Sequence, residues 1–87
     1  MPVISYFLGI TVSMYFGDHA PPHFHVDYQG HEALIDIATG DVLKGRLPPS
    51  VRRLVNKWLT LHREELFLNF QKVYKYETHT CIAGLGE

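Results

Sequence analysis

The sequence predicts an α+β fold: an antiparallel β-meander of three to four strands with one long C-terminal helix packed on it. Two observations favour this fold class. Over residues 1–47, short apolar-alternating segments are separated by tight-turn sequences. From residue 48 onward, apolar residues recur at helical spacing. We therefore expect a single domain over 1–87, with the meander at 1–47, the helix at 48–76 and a tail at 77–87.

Turn sequences divide the meander into strands. Residues 3–16 are typical of a strand or a bent pair of strands, with a bulge or bend at Gly9. Gln29-Gly30 is a short hairpin signal, and residues 38–41 form another tight turn. The strands are expected at residues 3–16, 23–28, 32–37 and 42–44.

The helix has two different halves. Ser50 is the predicted N-cap, and Trp58 is predicted to face the core. The first half has a polar outer face, whereas apolar residues surround most of the second half. We expect that half to contact a partner or a second copy of the chain; the alternative is that the tail at 81–85 folds back over it.

The strongest chemical signal is the stretch from Asp18 to His25, which holds three histidines and two consecutive prolines. The prolines stiffen the segment that carries His19 and His23. Beyond them, His23, His25 and Asp27 alternate with apolar residues. This pattern predicts a strand with an apolar face toward the core and a His-x-His-x-Asp face turned away from it.

Charges are divided along the chain although the formal net charge is only −1. Residues 1–41 carry five acids and no lysine or arginine, and residues 42–63 carry six bases and no acid. This asymmetry indicates an acidic sheet beside a basic helix start, or two surfaces with different partners. One cysteine fits a reducing cytoplasm, and no apolar run is long enough for a membrane span or is typical of a secretory signal. We expect a cytoplasmic protein without a membrane partner.

Several motifs together resemble one family. They are Met1-Pro2-x-Ile4-Ser5-x-Phe7-x-Gly9-Ile10, Met14-Tyr15-Phe16-x-Asp18-His19-x-Pro21-Pro22-His23-Phe24-His25, Asp36-Ile37-x-Thr39-Gly40 and His62-Arg63-x-Glu65-Leu66. They are similar to the small bacterial family called domain of unknown function 4160, over roughly residues 1–70. The resemblance implies a bacterial or phage origin and a compact α+β domain. It also implies a small protein encoded by an adjacent gene as partner, in an arrangement suspected of toxin–antitoxin pairing.

The residues themselves leave three functional hypotheses open. The first is a divalent metal site, for example for zinc, with His23 and His25 as ligands and His62 or His19 as the third. The second is metal-free ribonuclease chemistry. In it His23 and His25 transfer protons, His19 and Asp18 orient them, and phosphate binds at the cations Arg46, Arg52 and Arg53.

The third hypothesis is a non-enzymatic protein-binding module in which the histidine cluster is structural. Imidazole both donates and accepts hydrogen bonds, so such a cluster can satisfy loop amides without catalysis. His62 would then meet the cluster from the helix. Among these, we expect an effector of a two-gene module, because no DNA-reading helix-turn-helix is visible in the sequence.

Overall fold

The computed structural model describes residues 3–15, 20–75, 77–78 and 80–85. Over these residues the elements are, in order, β1 (Val3–Phe7), β2 (Ile10–Ser13), β3 (His23–Tyr28), β4 (His31–Asp36), β5 (Val42–Gly45) and α1 (Pro49–Tyr74). The five described strands form one sheet in the order β1-β2-β3-β4-β5, and each neighbouring pair is antiparallel. The α+β meander with one long C-terminal helix is therefore confirmed. The predicted number of three to four strands is wrong.

The additional strand arises because the segment 3–16 contains a hairpin. Leu8 and Gly9 both have positive φ, at 51° and 79°, as in a two-residue type I′ turn. Gln29 and Gly30 have the same conformation between β3 and β4, at 47° and 82°, so the turn predicted there is confirmed. Leucine rarely adopts positive φ, and this explains why the sequence pattern indicated only a bend at the first turn.

The helix begins earlier than the predicted cap implies. Pro49 is its first residue, Pro48 is the flanking residue, and no side chain forms a hydrogen bond at the cap. The prediction of Ser50 as N-cap is wrong, because proline has a suitable fixed φ and no N–H to satisfy at the first helical position. His62 interrupts the helix with φ −123° and ψ 20°. Within the described residues, no helix has the length and apolar character required to cross a membrane.

The core lies between one face of the sheet and α1. Trp58 is fully buried there, with its ring centroid 5.3 Å from that of Phe7 and 5.7 Å from that of Phe24. The prediction that Trp58 faces the core is confirmed, and Met14 is also fully buried. The buried side chains from the helix are Val51, Val55, Trp58, Leu59, Leu66, Asn69, Phe70 and Val73.

The C-terminal tail covers part of α1 and the outer edge of β1. The backbone N–H of Ile82 donates to the carbonyl of Ile4 over 2.7 Å. The indole Nε1 of Trp58 donates to the carbonyl of Ala83 over 2.8 Å. The alternative in which residues 81–85 fold back over the helix is therefore the arrangement in the structure.

One buried amide holds the start of this tail, and its removal should loosen the tail. Asn69 is 2% exposed; its Oδ1 accepts from the Thr80 N–H over 2.7 Å, and its Nδ2 donates to the Thr80 carbonyl. Asn69→Ala removes both bonds and leaves the partly buried backbone N–H and carbonyl of Thr80 without these partners, at a cost of about 0.5–1.5 kcal/mol for each bond. We expect faster hydrogen exchange at the amides of Thr80 and Ile82. Lys72→Ala is the matched control, because it removes only an exposed bond to the Thr80 hydroxyl. Equal exchange rates in the two variants would contradict this role of Asn69.

Candidate active site on the open face of the sheet

The two faces of the sheet differ chemically. Along β3, Phe24 and Val26 are buried in the core, His23 and His25 are half-buried, and Asp27 is exposed. Successive side chains of a strand point to opposite sides, so the two histidines and the aspartate belong to the face away from the core. The predicted alternation is confirmed. We call this face the open face.

Strand register gathers residues of four strands around His25. His25 pairs with Ser13 of β2 and with Leu34 of β4, and Leu34 pairs in turn with Lys44 of β5. These residues surround a cavity of about 380 Å³ on the open face, called here the His25 cavity. Its lining consists of Thr11, Ser13, Tyr15, His25, Val26, Asp27, Glu32, Ala33, Leu34, Lys44 and Gly45. The helix contributes none of these residues.

The shape of the cavity depends on a glycine at its edge. Gly45 has φ of +85°, and an added Cβ would lie within 3 Å of the backbone of Glu32 and Ala33. Residues that carry a Cβ rarely adopt this backbone conformation, and at this position the Cβ would also have no space. The close approach of β5 to β4 brings the neighbouring Lys44 into the lining of the cavity.

Aromatic rings form a continuous row from the cavity to the helix. The ring centroids of Tyr15 and His25 are 4.2 Å apart, and those of His25 and His23 are 5.4 Å apart. The ring of His23 lies 5.6 Å from that of Phe70 on α1. Two imidazoles thus lie side by side, one of them in the cavity. Such a pair can take up and deliver a proton within one site.

The orientation of His23 is determined by the proline corner. Its Nδ1 lies 2.7 Å from the carbonyl oxygen of Pro21, which follows a cis peptide bond at Ala20. A carbonyl oxygen only accepts, so Nδ1 carries a hydrogen, and in the neutral ring Nε2 is then the accepting nitrogen. In the neutral ring, the hydrogen bond therefore selects the tautomer with the hydrogen on Nδ1 of His23.

The charges inside the cavity are mixed. Lys44 contributes one ammonium group, whereas Asp27 and Glu32, which pair with each other across β3 and β4, contribute two carboxylates. Like charges directly opposite one another repel, so this edge of the cavity favours a ligand group that is not anionic. A phosphate would be attracted only at the side of Lys44 and His25.

His62 belongs to a different part of the molecule. Its ring lies 5.7 Å from that of Trp58, and its Nδ1 donates to Glu65 Oε1 over 2.7 Å. It thus contacts its own helix and the edge of the core. Among the described residues, no three histidine, cysteine, aspartate or glutamate side chains are close enough to hold a metal ion. His23, His25 and His62 do not form such a group.

A comparison with known families adds to this geometry. The model of the family described as domain of unknown function (DUF4160) matches residues 9–71, well over half of the chain. The chain belongs to the DUF4160 family. The resemblance noted in the sequence motifs is thus confirmed. No curated protein and no solved structure has a significant match to the chain.

The region matched by DUF4160 contains the candidate site. It includes β2 to β5, every residue that lines the His25 cavity and all but the end of α1. β1 and the tail at 77–85 lie outside it. The cavity is therefore built from the DUF4160 region alone.

None of the predicted phosphate-binding residues of this DUF4160 chain lines the cavity, although Arg46 directly follows the lining residue Gly45. Arg52 and Arg53 are exposed in the first turn of α1, the element that covers the opposite face of the sheet. The backbone of Arg46 donates to the carbonyl of Glu32. Glu32 lines the His25 cavity, and it is four positions along β4 from the partner of His23, a separation of about 13 Å. The structure does not gather Arg52 and Arg53 around the histidines, and phosphate binding by all three arginines stays a prediction.

Two predicted site residues, Asp18 and His19, lie outside the described residues. Their roles in orienting His23 and His25, and any metal site that includes them, stay predictions.

Other residues of the cavity were not predicted from the sequence. Pairing between strands places three of them beside His25 and Asp27, namely Thr11, Ser13 and Glu32. The alternation of apolar and polar residues along β2 predicts which of its side chains share a face of the sheet. It does not predict which strand pairs with β2.

Proposed function

We propose that this protein is the RNA-cleaving effector of a two-gene, toxin–antitoxin-like module, with an active site formed by His25 and the neighbouring His23 at the side of the His25 cavity. The observation that supports this most directly is the pair of imidazoles, 5.4 Å apart between centroids, at the side of a cavity of about 380 Å³. Histidine is the side chain suited to both proton transfers of RNA cleavage near neutral pH.

The proposed reaction is an internal phosphoryl transfer. Nε2 of His23 accepts the proton of a ribose 2′-hydroxyl, and the 2′-oxygen forms a bond to the adjacent phosphorus. The bond from phosphorus to the 5′-oxygen breaks, and His25 in its protonated form delivers a proton to that oxygen. The products are a 2′,3′-cyclic phosphate and a 5′-hydroxyl, so atoms and charges balance without an added reactant.

Substrate binding in this proposal depends on stacking and on one cation. Tyr15 is partly exposed beside His25, where a nucleobase can stack on its ring. Lys44 attracts the phosphate, and the hydroxyl groups of Thr11 and Ser13 offer hydrogen bonds. The carboxylates of the cavity repel a second phosphate. We therefore expect short single-stranded RNA rather than a duplex as substrate.

Purified protein incubated with a fluorescently labelled single-stranded RNA should test this proposal. We expect cleavage that continues in the presence of a chelator, because both proton transfers are assigned to histidines. The fragments should end in a 2′,3′-cyclic phosphate, identified by mass spectrometry. An otherwise identical oligonucleotide with a 2′-deoxyribose at the cleaved position is the control and should stay intact. Fragments with a 5′-phosphate, or no turnover of any RNA, would contradict the proposal.

A protein-binding module is the second candidate, and the contact between His23 and Pro21 supports it. That hydrogen bond holds the proline corner against β3, a structural role that requires no catalysis. The product of the adjacent gene would then be the ligand. This alternative predicts a stable complex of the two proteins on co-expression and no cleavage of RNA by either form.

A further inference from the structure

The His25 cavity contains a buried hydroxyl that forms no hydrogen bond with the residues that the structure describes. This hydroxyl belongs to Ser13, which pairs with His25 across β2 and β3, lines the cavity and is only 5% exposed. Buried hydroxyl groups in proteins usually have a hydrogen-bond partner. We therefore expect a polar group of a bound molecule opposite the Ser13 hydroxyl.

Two carboxylates at one edge of the cavity also lack an ion pair with any described side chain. Asp27 and Glu32 are directly opposite one another on β3 and β4, so their Cβ atoms are about 4.5–5.5 Å apart. Like charges at this distance destabilise a sheet. A ligand with two neighbouring N–H donors would relieve this repulsion, because ionised carboxylates only accept hydrogen bonds.

Lys44 adds a donor next to these acceptors. It pairs with Leu34, two positions along β4 from Glu32, so Lys44 and Glu32 are diagonal neighbours about 7–8 Å apart. The cavity thus offers carboxylate oxygens followed by an ammonium group. Among the bases of RNA, guanine has the complementary edge. Its N1–H and its 2-amino group are donors, and the O6 beside them is an acceptor.

We infer that the His25 cavity selects guanine, with Asp27 and Glu32 accepting from N1–H and the 2-amino group and Lys44 donating to O6. This inference rests on the proposed function and names the base at the cleaved position. Adenine and cytosine present an accepting ring nitrogen beside their amino group, and uracil flanks its single N–H with two carbonyl oxygens. Each of them would place an acceptor against the carboxylates. The acidic edge then favours RNA through its base, although it repels phosphate.

Titration of the full chain with mononucleotides, followed by NMR spectroscopy, tests this inference without requiring catalysis. The probes are the 3′-monophosphates of guanosine, inosine and adenosine; inosine lacks only the 2-amino group of guanosine. We expect the guanosine nucleotide to bind at least ~10-fold more tightly than the other two, because hydrogen bonds to charged groups are the stronger ones. Equal affinities for the three nucleotides, or no binding of the guanosine nucleotide, would overturn the inference.

Substitutions test the assigned contacts. Asp27→Asn and Glu32→Gln should each reduce the preference for guanosine over inosine at least ~3-fold. Asp41→Asn is the matched control, because Asp41 is exposed directly before β5 and does not line the cavity. Ser13→Ala should weaken all three nucleotides by a similar factor, because its hydroxyl lies beside His25 rather than at the acidic edge. An unchanged preference in both carboxylate variants, or unchanged affinities in Ser13→Ala, would overturn this placement of the nucleotide.

Cleavage products separate this inference from the proposed function. A single-stranded RNA of mixed sequence should be cut after guanosine, with the cyclic phosphate on that nucleotide. Cleavage without base preference would overturn the inference and leave the proposed function in place. Selective binding of the guanosine nucleotide without cleavage of any RNA would overturn the proposed function and leave the guanine site.

Discussion

His25→Ala should reduce kcat/KM for RNA cleavage by about 10²–10⁴-fold, the usual contribution of a general acid or base. His25 lines the cavity and lies beside the second imidazole, so its removal eliminates one of the two proton transfers. His23→Ala should cause a loss of similar size. The double variant should lose little more than either single variant, because the two residues act as a unit. Single-turnover kinetics with a labelled RNA would measure all three.

His31→Ala is the control for this series. His31 is exposed at the start of β4 and pairs with Tyr28, so it belongs to the other face of the sheet. Its substitution should leave cleavage unchanged.

His25→Gln keeps the approximate size and the polarity of the side chain, and we expect this variant to fold like the wild type while losing activity. Full activity in a folded His25→Gln variant would exclude a catalytic role for this residue.

Trp58→Ala should produce the largest loss of stability, about 3–5 kcal/mol in the free energy of unfolding. The indole is fully buried between sheet and helix. Its removal leaves a cavity beside Phe7 and Phe24, and it leaves the Ala83 carbonyl without the indole donor. Domains of this size are stable by only about 5–15 kcal/mol, so a large unfolded fraction is expected at 37 °C. Urea titration followed by circular dichroism would measure the loss.

Two further variants separate the causes of this loss. Trp58→Phe keeps an aromatic ring in the core but removes the hydrogen bond to the tail, and we expect a smaller loss of about 1–3 kcal/mol. Gln71→Ala changes an exposed residue of the same helix and should change stability by no more than about 0.5 kcal/mol. A loss below about 1 kcal/mol for Trp58→Ala would contradict the central position of this residue.

Parts of the candidate site were predictable because strand periodicity is local. The alternation from His23 to Tyr28 predicted which side chains face away from the core, and the structure confirms it. The neighbours of His25 were not predictable in this way. Ser13 and Lys44 are brought to it by pairing between distant strands. That pairing depends on the order of strands in the sheet, which alternation within one strand does not specify.

The basic segment illustrates the same limit. The sequence places Arg46, Arg52 and Arg53 close together after an acidic sheet, and this favoured one site that joins them to the histidines. In the structure the helix that carries Arg52 and Arg53 covers the face opposite the His25 cavity. Arg63, from the same basic segment, donates to the carbonyl of Ile37 and holds a turn. Charge composition along the chain does not determine which side of the sheet a helix covers.

The sequence by itself determined the class of fold, the identity of the core tryptophan, the face of β3 that carries the histidines and the family. Each of these follows from local spacing or from a motif within a short segment. Only the tertiary structure decided the fifth strand, the cavity around His25 and the fold-back of the tail. These features depend on contacts between segments far apart in the chain, which form because burial of the shared core brings those segments together.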